Sequence, residues 1–396
     1  CHVTDGADFR YTVTYQFEQH ENVLPPVRRW SREVFEGRIL PAAEAMDAAN
    51  LFSPYMVFRD NRDPAKGIDS FIATPRFATG YVPVVRNRPA LLIETHMLKP
   101  HRLRVRGTYD ILRAALEEVN KNPDELLRAA READALVVQS GGRYDPAGRV
   151  ALSVELTDKP ATKLLKGFEF RTELSDISGA VRVVWGDKPL DLNVPFYTDA
   201  RAARSVSPPL FYVVPPQWTA AAEVLRAHGL KLQRLAAPLS VEVESYRFRD
   251  VKWSPNSFEG RTLVSFKAEA VREQRTYPAN SVVVSMSQPA ARAALQLLEP
   301  EAPDSLATWG FFAPVFEQKE YGEDYILEKL AREMLAKDAD LRREFETRVA
   351  TDPKFAASAN ERLRFFHERS PYFDRMMNIY PVGRITSPLS ARLTDF

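Results

Sequence analysis

Apolar and polar positions recur with different periods in different parts of the chain. Tyr11 to Phe17 alternates every second residue, as a strand does. Between Val27 and Asn50, Trp30, Val34, Phe35 and Ile39 recur at helical spacing. A polar break, Arg86-Asn87-Arg88-Pro89, precedes the continuous apolar run Ala90-Leu91-Leu92-Ile93, which predicts a strand buried on both faces. Val105, Tyr109, Leu112, Leu116 and Val119 are then spaced by 4, 3, 4 and 3, which predicts a helix. Another helix is marked at Asn122-Pro123-Asp124-Glu125, where Asn122 can cap, Pro123 suits the first turn and Glu125 can close a capping box. Strand–helix alternation around a buried strand argues for an α/β layer over residues 1–145.

The pattern changes at Ser140-Gly141-Gly142-Arg143, the best candidate for a linker. From Ala151 to Ser287 the chain is β-rich, with Val241 to Glu244 and Ser281 to Ser285 strand-like. One helix interrupts around Trp218 to His228, and Gly229 falls where a helix C-cap would place it. From Glu320 the pattern turns helical, and Ile326, Leu330 and Met334 recur every fourth residue, as a core-facing stripe would. The expected organisation is an α/β domain over 1–145, a β-rich α+β unit over 150–300 and a mainly helical segment over 301–396.

Composition narrows the function classes. Across 396 residues, 54 Lys and Arg nearly balance 53 Asp and Glu, so the net charge of +1 gives no field that would draw the chain to nucleic acid. Hydrophobic residues at 45% and charged residues at 27% are ordinary for a folded domain and exclude general disorder. No apolar run approaches the roughly 18 residues of a membrane span. Cys1 is the sole cysteine, so neither an internal disulfide nor a cysteine zinc cluster can form. The chain opens Cys1-His2-Val3-Thr4-Asp5, without a leader, and β-prone residues follow at once, so its start is expected to be the cut edge of a longer protein.

Six histidines are present, at positions 2, 20, 96, 101, 228 and 367, and none begins His-x-x-Glu or His-Glu-x-x-His. Two local features could still carry chemistry. One is His2 with Asp5 and Asp8. The other is Glu94, which directly follows the buried apolar run. A carboxylate there falls at the carboxyl end of its strand, the edge at which open α/β sheets bind ligands, and could serve as a general base. The plain alternative is a structural ion pair with Arg88 or Lys99. His96 shares Glu94's strand face and reads as a supporting histidine in preference to a ligand.

Cys1 to Tyr15 (CHVTDGADFRYTVTY) and Phe77 to Asp110, centred on GYVPVVRNRPALLIETHMLKPHRLRVRGTYD, resemble the second half of a zinc carboxypeptidase catalytic domain. The family is the carboxypeptidase A-like metallocarboxypeptidases, in a bacterial branch with a large C-terminal extension that Tyr277 to Gly310 also resembles. The resemblance implies that His2 is the third zinc ligand and Glu94 the general base, with Tyr81 and Arg76 as substrate contacts. It implies zinc as cofactor, a peptide or small amide as substrate, and export to the periplasm or beyond. A catalytic zinc needs three protein ligands and an open position for water. The family's His-x-x-Glu, and its Arg and Asn that hold the substrate carboxylate, lie upstream of the third ligand and have no counterpart here. The expectation is therefore a catalytic half that is inactive alone. An amidase or deacylase on the same scaffold, or a non-catalytic binding module, are the competing expectations.

Overall fold

A computed structural model describes residues 1–4, 6–319 and 321–396, and the chain is a mixed α/β protein. The first part contains β1 (His2–Thr4), β2 (Val13–Gln16), α1 (Pro25–Trp30), a π-helical stretch Ser31–Ile39, α2 (Leu40–Glu44), β3 (Phe52–Pro54), β4 (Met56–Phe58) and β5 (Ile68–Ser70). It continues through α3 (Ala78–Val85), β6 (Leu92–His96), α4 (His101–Lys121) and α5 (Pro123–Gly141). Four strands form one sheet in the order β1-β6-β2-β3. β1 runs parallel to β6, β6 antiparallel to β2, and β2 parallel to β3. Val13, Phe52 and Ile93 from this sheet pack with Phe35, Ile39 and Ile111 from the helices.

Helix α4 meets this sheet through Gly107, Asp110, Ile111 and Ala114, while Val105, Tyr109, Leu112 and Leu116 are exposed. The reason is close approach. A Cβ at Gly107 would lie 2.9 Å from Val13 Cγ2, so the small-residue face is the one that fits against β2. At the start of α5 the side chain of Asn122 makes no cap. It donates back to Glu118 at 2.9 Å, and Glu125 pairs with Arg38.

The second part contains β7 (Val150–Leu156), β8 (Pro160–Leu174), β9 (Val181–Tyr197), β10 (Ala200–Val206), β11 (Phe211–Val214), α6 (Thr219–Ala227) and β12 (Leu232–Leu235). There follow β13 (Leu239–Phe258), β14 (Arg261–Tyr277), β15 (Val282–Ser285), α7 (Ala291–Leu298), α8 (Asp324–Lys337), α9 (Ala339–Thr351), α10 (Pro353–Ala357) and α11 (Ala359–His367). The last two strands are β16 (Gly383–Ile385) and β17 (Leu393–Asp395). A seven-stranded sheet has the order β14-β13-β16-β11-β15-β12-β17. Its central strands are buried on both faces, and their residues alternate between two cores. Tyr212, Val214, Val282 and Val284 face one, while Val213, Val283 and Ile385 face the other. The long β13–β14 hairpin closes on Glu259 and Gly260, both at positive φ (49° and 77°), the backbone of a two-residue turn that matches strand twist.

Among the described residues, no strand after residue 150 joins the sheet of β1, β2, β3 and β6. The chain nevertheless crosses position 145 in two other places. β5 pairs with β9 in a second four-stranded sheet of order β4-β5-β9-β8. The largest core combines Val27, Val84 and Val137 with Tyr212, Leu225 and Leu295. The Ser140–Arg143 stretch is not a loose tether. Gly141 ends α5, and a Cβ there would lie 1.9 Å from the carbonyl oxygen of Met286. The C-terminal helices form their own cluster around Leu341, Phe355, Phe365 and Phe366. The buried face of α8 is Leu327 and Ala331, of which Ala331 joins this cluster, one residue out of step with the expected Ile326–Leu330–Met334 stripe. Ile326 is exposed, and Met334 packs at the cluster's edge.

Candidate functional site

β1 and β6 bring the two chemistry-bearing residues of the first part together. Their parallel pairing places His2 directly opposite Glu94, Val3 opposite Thr95 and Thr4 opposite His96. Side chains at directly opposed positions of a parallel pair project to the same face. His2 Nδ1 accordingly lies 3.2 Å from Glu94 Oε2. The carboxylate is buried and the imidazole is open, with side-chain exposures of 8% and 70%. The apolar run gives Glu94 its burial, but β6 continues to His96, so Glu94 is mid-strand and not at the strand's end. His2 likewise opens β1 and does not close it.

The ion pairs expected as the alternative for Glu94 are made elsewhere. Arg88 pairs with Asp134 at 2.7 Å, and Lys99 with Asp8 at 3.0 Å. The latter contact also accounts for Asp8, while Asp5 lies outside the described residues. His96 is buried and has both ring nitrogens engaged. Nε2 faces the carbonyls of Gly6 and Ala7 at 3.1 and 3.0 Å, and Nδ1 accepts from the Leu98 N–H at 3.1 Å. It thereby pins Gly6 and Ala7, in the loop that follows β1, to the strand that carries Glu94. His20 is similarly occupied, with Nε2 3.1 Å from the buried Glu18 carboxylate and Nδ1 accepting from the Asn22 N–H.

Among the described residues, no three His, Cys, Asp or Glu side chains are grouped so as to hold a metal ion. His2 and Glu94 are two donors, and the resemblance assigns one of them as the base. Among the described residues, the donors grouped here therefore fall short of the three-ligand zinc site that the resemblance implies.

Tyr81 and Arg76 belong to a different neighbourhood. The hydroxyl of Tyr81, on α3, lies 2.7 Å from His228 Nδ1 in a hydrogen bond, and Arg86 donates to the His228 carbonyl at 2.6 Å. Burial, and then the nearby Arg86 guanidinium, hold the His228 imidazole below its ordinary pKa. Burial pushes the Tyr81 phenol up, against a smaller lowering by Arg86. Arg76 makes two hydrogen bonds to Asp304 Oδ1, at 3.0 and 2.9 Å. Neither Tyr81 nor Arg76 contacts His2 or Glu94 by any hydrogen bond or ion pair among the described residues. Their partners, His228 and Asp304, follow them by more than 140 positions. No local spacing could have announced those pairs.

Over 124 residues the chain is 30% identical to proteins named Carboxypeptidase 2 from Trichophyton tonsurans and Trichophyton equinum, and 28% identical to one of the same name from Trichophyton rubrum. Each match covers 31% of this chain and 23% of the relative, so the chain spans about a quarter of the length of the curated relatives it matches. No family model and no solved structure matches. These similarities relate about a third of the chain to carboxypeptidases.

Proposed function

We propose that this chain carries the base half of a hydrolytic site that cleaves a C-terminal amide bond, with Glu94 as the general base. The observation that supports this is the in-register pairing of His2 and Glu94, which holds a nitrogen donor against a buried carboxylate on adjacent strands. In that role Glu94 takes a proton from the attacking water and returns it to the leaving amine. His2 lies against Glu94 on the solvent side and is the open member of the pair. The zinc-dependent form of this chemistry, as in metallocarboxypeptidases of the bacterial branch, would need two more donors from residues beyond this chain, with His2 as the third. A zinc ion in such a site supplies an acidified water and polarises the scissile carbonyl.

Two preparations test this. The chain as it stands should hold no stoichiometric zinc by elemental analysis and should not turn over a blocked dipeptide. A longer chain that includes the upstream residues should do both, and Glu94→Gln in it should cut turnover by about 10²–10⁴-fold. Stoichiometric zinc with turnover in the present chain, or a fully active Glu94→Gln in the longer one, would overturn the proposal.

A further inference from the structure

We propose that a cavity between the end of β2, the π-helical stretch Ser31–Ile39 and the end of β9 binds a zwitterionic small molecule with an aromatic body, of the α-amino acid class. The cavity is about 630 Å³, within the range of small-molecule sites, and neither His2 nor Glu94 lines it. Tyr15, Phe17, Phe71 and Phe196 line it, and the first two rings lie nearly parallel, with centroids 6.2 Å apart and an interplanar angle of 10°. These rings offer the faces and edges on which an aromatic body packs.

The charged lining sets the rest of the ligand. Arg28, Arg32 and Glu36 line the cavity from one continuous helical run, and Glu21 lines it from the loop before that run. Among the described residues, none of these four side chains makes a hydrogen bond or an ion pair. Arg32 and Glu36 stand four apart, the usual spacing of a helical ion pair, and still do not meet. The π turn gives them a common direction. In an α-helix residues four apart drift round the axis in one sense, because 3.6 residues make a turn. Across Ser31–Ile39 the bonds reach five residues back, as from the Leu40 N–H to the Phe35 carbonyl, so a turn takes more than four residues and the drift reverses. Arg28, Arg32 and Glu36 therefore stay in one row along the cavity, where a plain α-helix would turn Glu36 away from Arg28. Burial, and then the charge of Glu36, push the Tyr15 phenol up, which puts that carboxylate beside the aromatic wall. The other charges on the lining are already engaged. Glu18 accepts from Gln16 at 2.6 Å and from the Ala73 N–H at 2.7 Å and lies 3.1 Å from His20, and Asp199 accepts from the Thr157 hydroxyl at 2.7 Å. A purely anionic ligand would leave Glu21 and Glu36 unmatched, and a purely cationic one would leave Arg28 and Arg32 unmatched. A zwitterion gives its carboxylate to the guanidiniums and its ammonium to the carboxylates.

The test is calorimetric titration of the whole chain with L-phenylalanine, with 3-phenylpropanoate, which lacks the ammonium, and with 2-phenylethylamine, which lacks the carboxylate. Phenylalanine should bind one to one, and each analogue at least about tenfold more weakly. Arg32→Gln should weaken phenylalanine by about tenfold without weakening phenylethylamine, and Glu36→Gln should do so without weakening phenylpropanoate. Both side chains are exposed, so both variants should melt like wild type. No binding of phenylalanine at millimolar concentration, equal binding of the three compounds, wild-type affinity for phenylalanine in either variant, or a loss shared equally by all three compounds would each overturn the proposal. Because His2 and Glu94 are outside the cavity lining, failure here leaves the hydrolytic proposal standing, and the reverse also holds.

Discussion

Glu299→Gln should loosen the middle of the seven-stranded sheet more than any neutral-for-charged change on its surface. Glu299 follows α7 and is 1% exposed. Its Oε1 accepts from the Tyr212 hydroxyl of β11, and its Oε2 accepts from the Tyr246 hydroxyl of β13 at 2.6 Å. Arg384 of β16 lies 2.9 Å from Oε1. One carboxylate therefore ties three adjacent strands to the end of a helix. Burial, and then the charge of Glu299, push both phenols far above their ordinary pKa, so they stay donors wherever the fold persists. The glutamine keeps the shape but removes the charge. Breaking a buried pair by one partner costs about 3–5 kcal/mol. Arg384 keeps Glu244 at 2.9 Å, which reduces that loss. The expected cost is about 3 kcal/mol, or about 100-fold in an opening equilibrium. Native-state hydrogen exchange at Val213 and Val283, fully paired in β11 and β15, reads that opening without requiring the whole chain to unfold in one step. Adding Arg384→Met to Glu299→Gln should cost less than the two single changes summed, because both remove the same contact. Exchange within about threefold of wild type in Glu299→Gln would show that the carboxylate is not what holds the strands.

Gly141→Ala should destabilise by about 1–3 kcal/mol or more, since its Cβ would meet the Met286 backbone, whereas Gly142→Ala, with nothing nearer than 3.6 Å, should melt like wild type. Equal melting of the two would remove the packing explanation. The depressed pKa of His228 makes a pH prediction. The unfolded chain takes up a proton there at higher pH than the folded chain, so stability is full above about pH 6.5 and falls as the pH drops below it. His228→Gln should flatten that part of a stability–pH profile, and an unchanged profile would refute the assignment. His2→Ala should change stability by less than about 0.5 kcal/mol, because the side chain is largely exposed, so a loss of turnover in a longer chain would report on the site and not on folding.

The sequence showed the alternation of strands and helices and the long helices α4 and α5, because their periods extend over many residues. It did not show β4 and β5, at three residues each too short to carry a period, although they join the first part of the chain to β8 and β9. Which face of α4 turns inward was also hidden, since a stripe of Val, Tyr and Leu promises burial and only the contact at Gly107 says otherwise. Glu94 stood out because a lone carboxylate ended an apolar run. Its alignment with His2 is a matter of strand register, which distant residues set. The partners of Tyr81 and Arg76 were beyond reach for the same reason.

The position of β16 bears on the order in which this protein can assemble as it leaves the ribosome. Gly383–Ile385 lies between β13 and β11, and among the described residues no pairing joins those two strands directly. The β13–β14 hairpin can close as soon as residue 277 has been made, and β11, β12 and β15 can pair soon after. These two pieces then wait through about a hundred further residues, with the inner edges of β13 and β11 uncapped, until a three-residue strand arrives to join them. Nascent chains stalled before residue 383 should therefore present two open edges to chaperones, and chains stalled well beyond it should present neither.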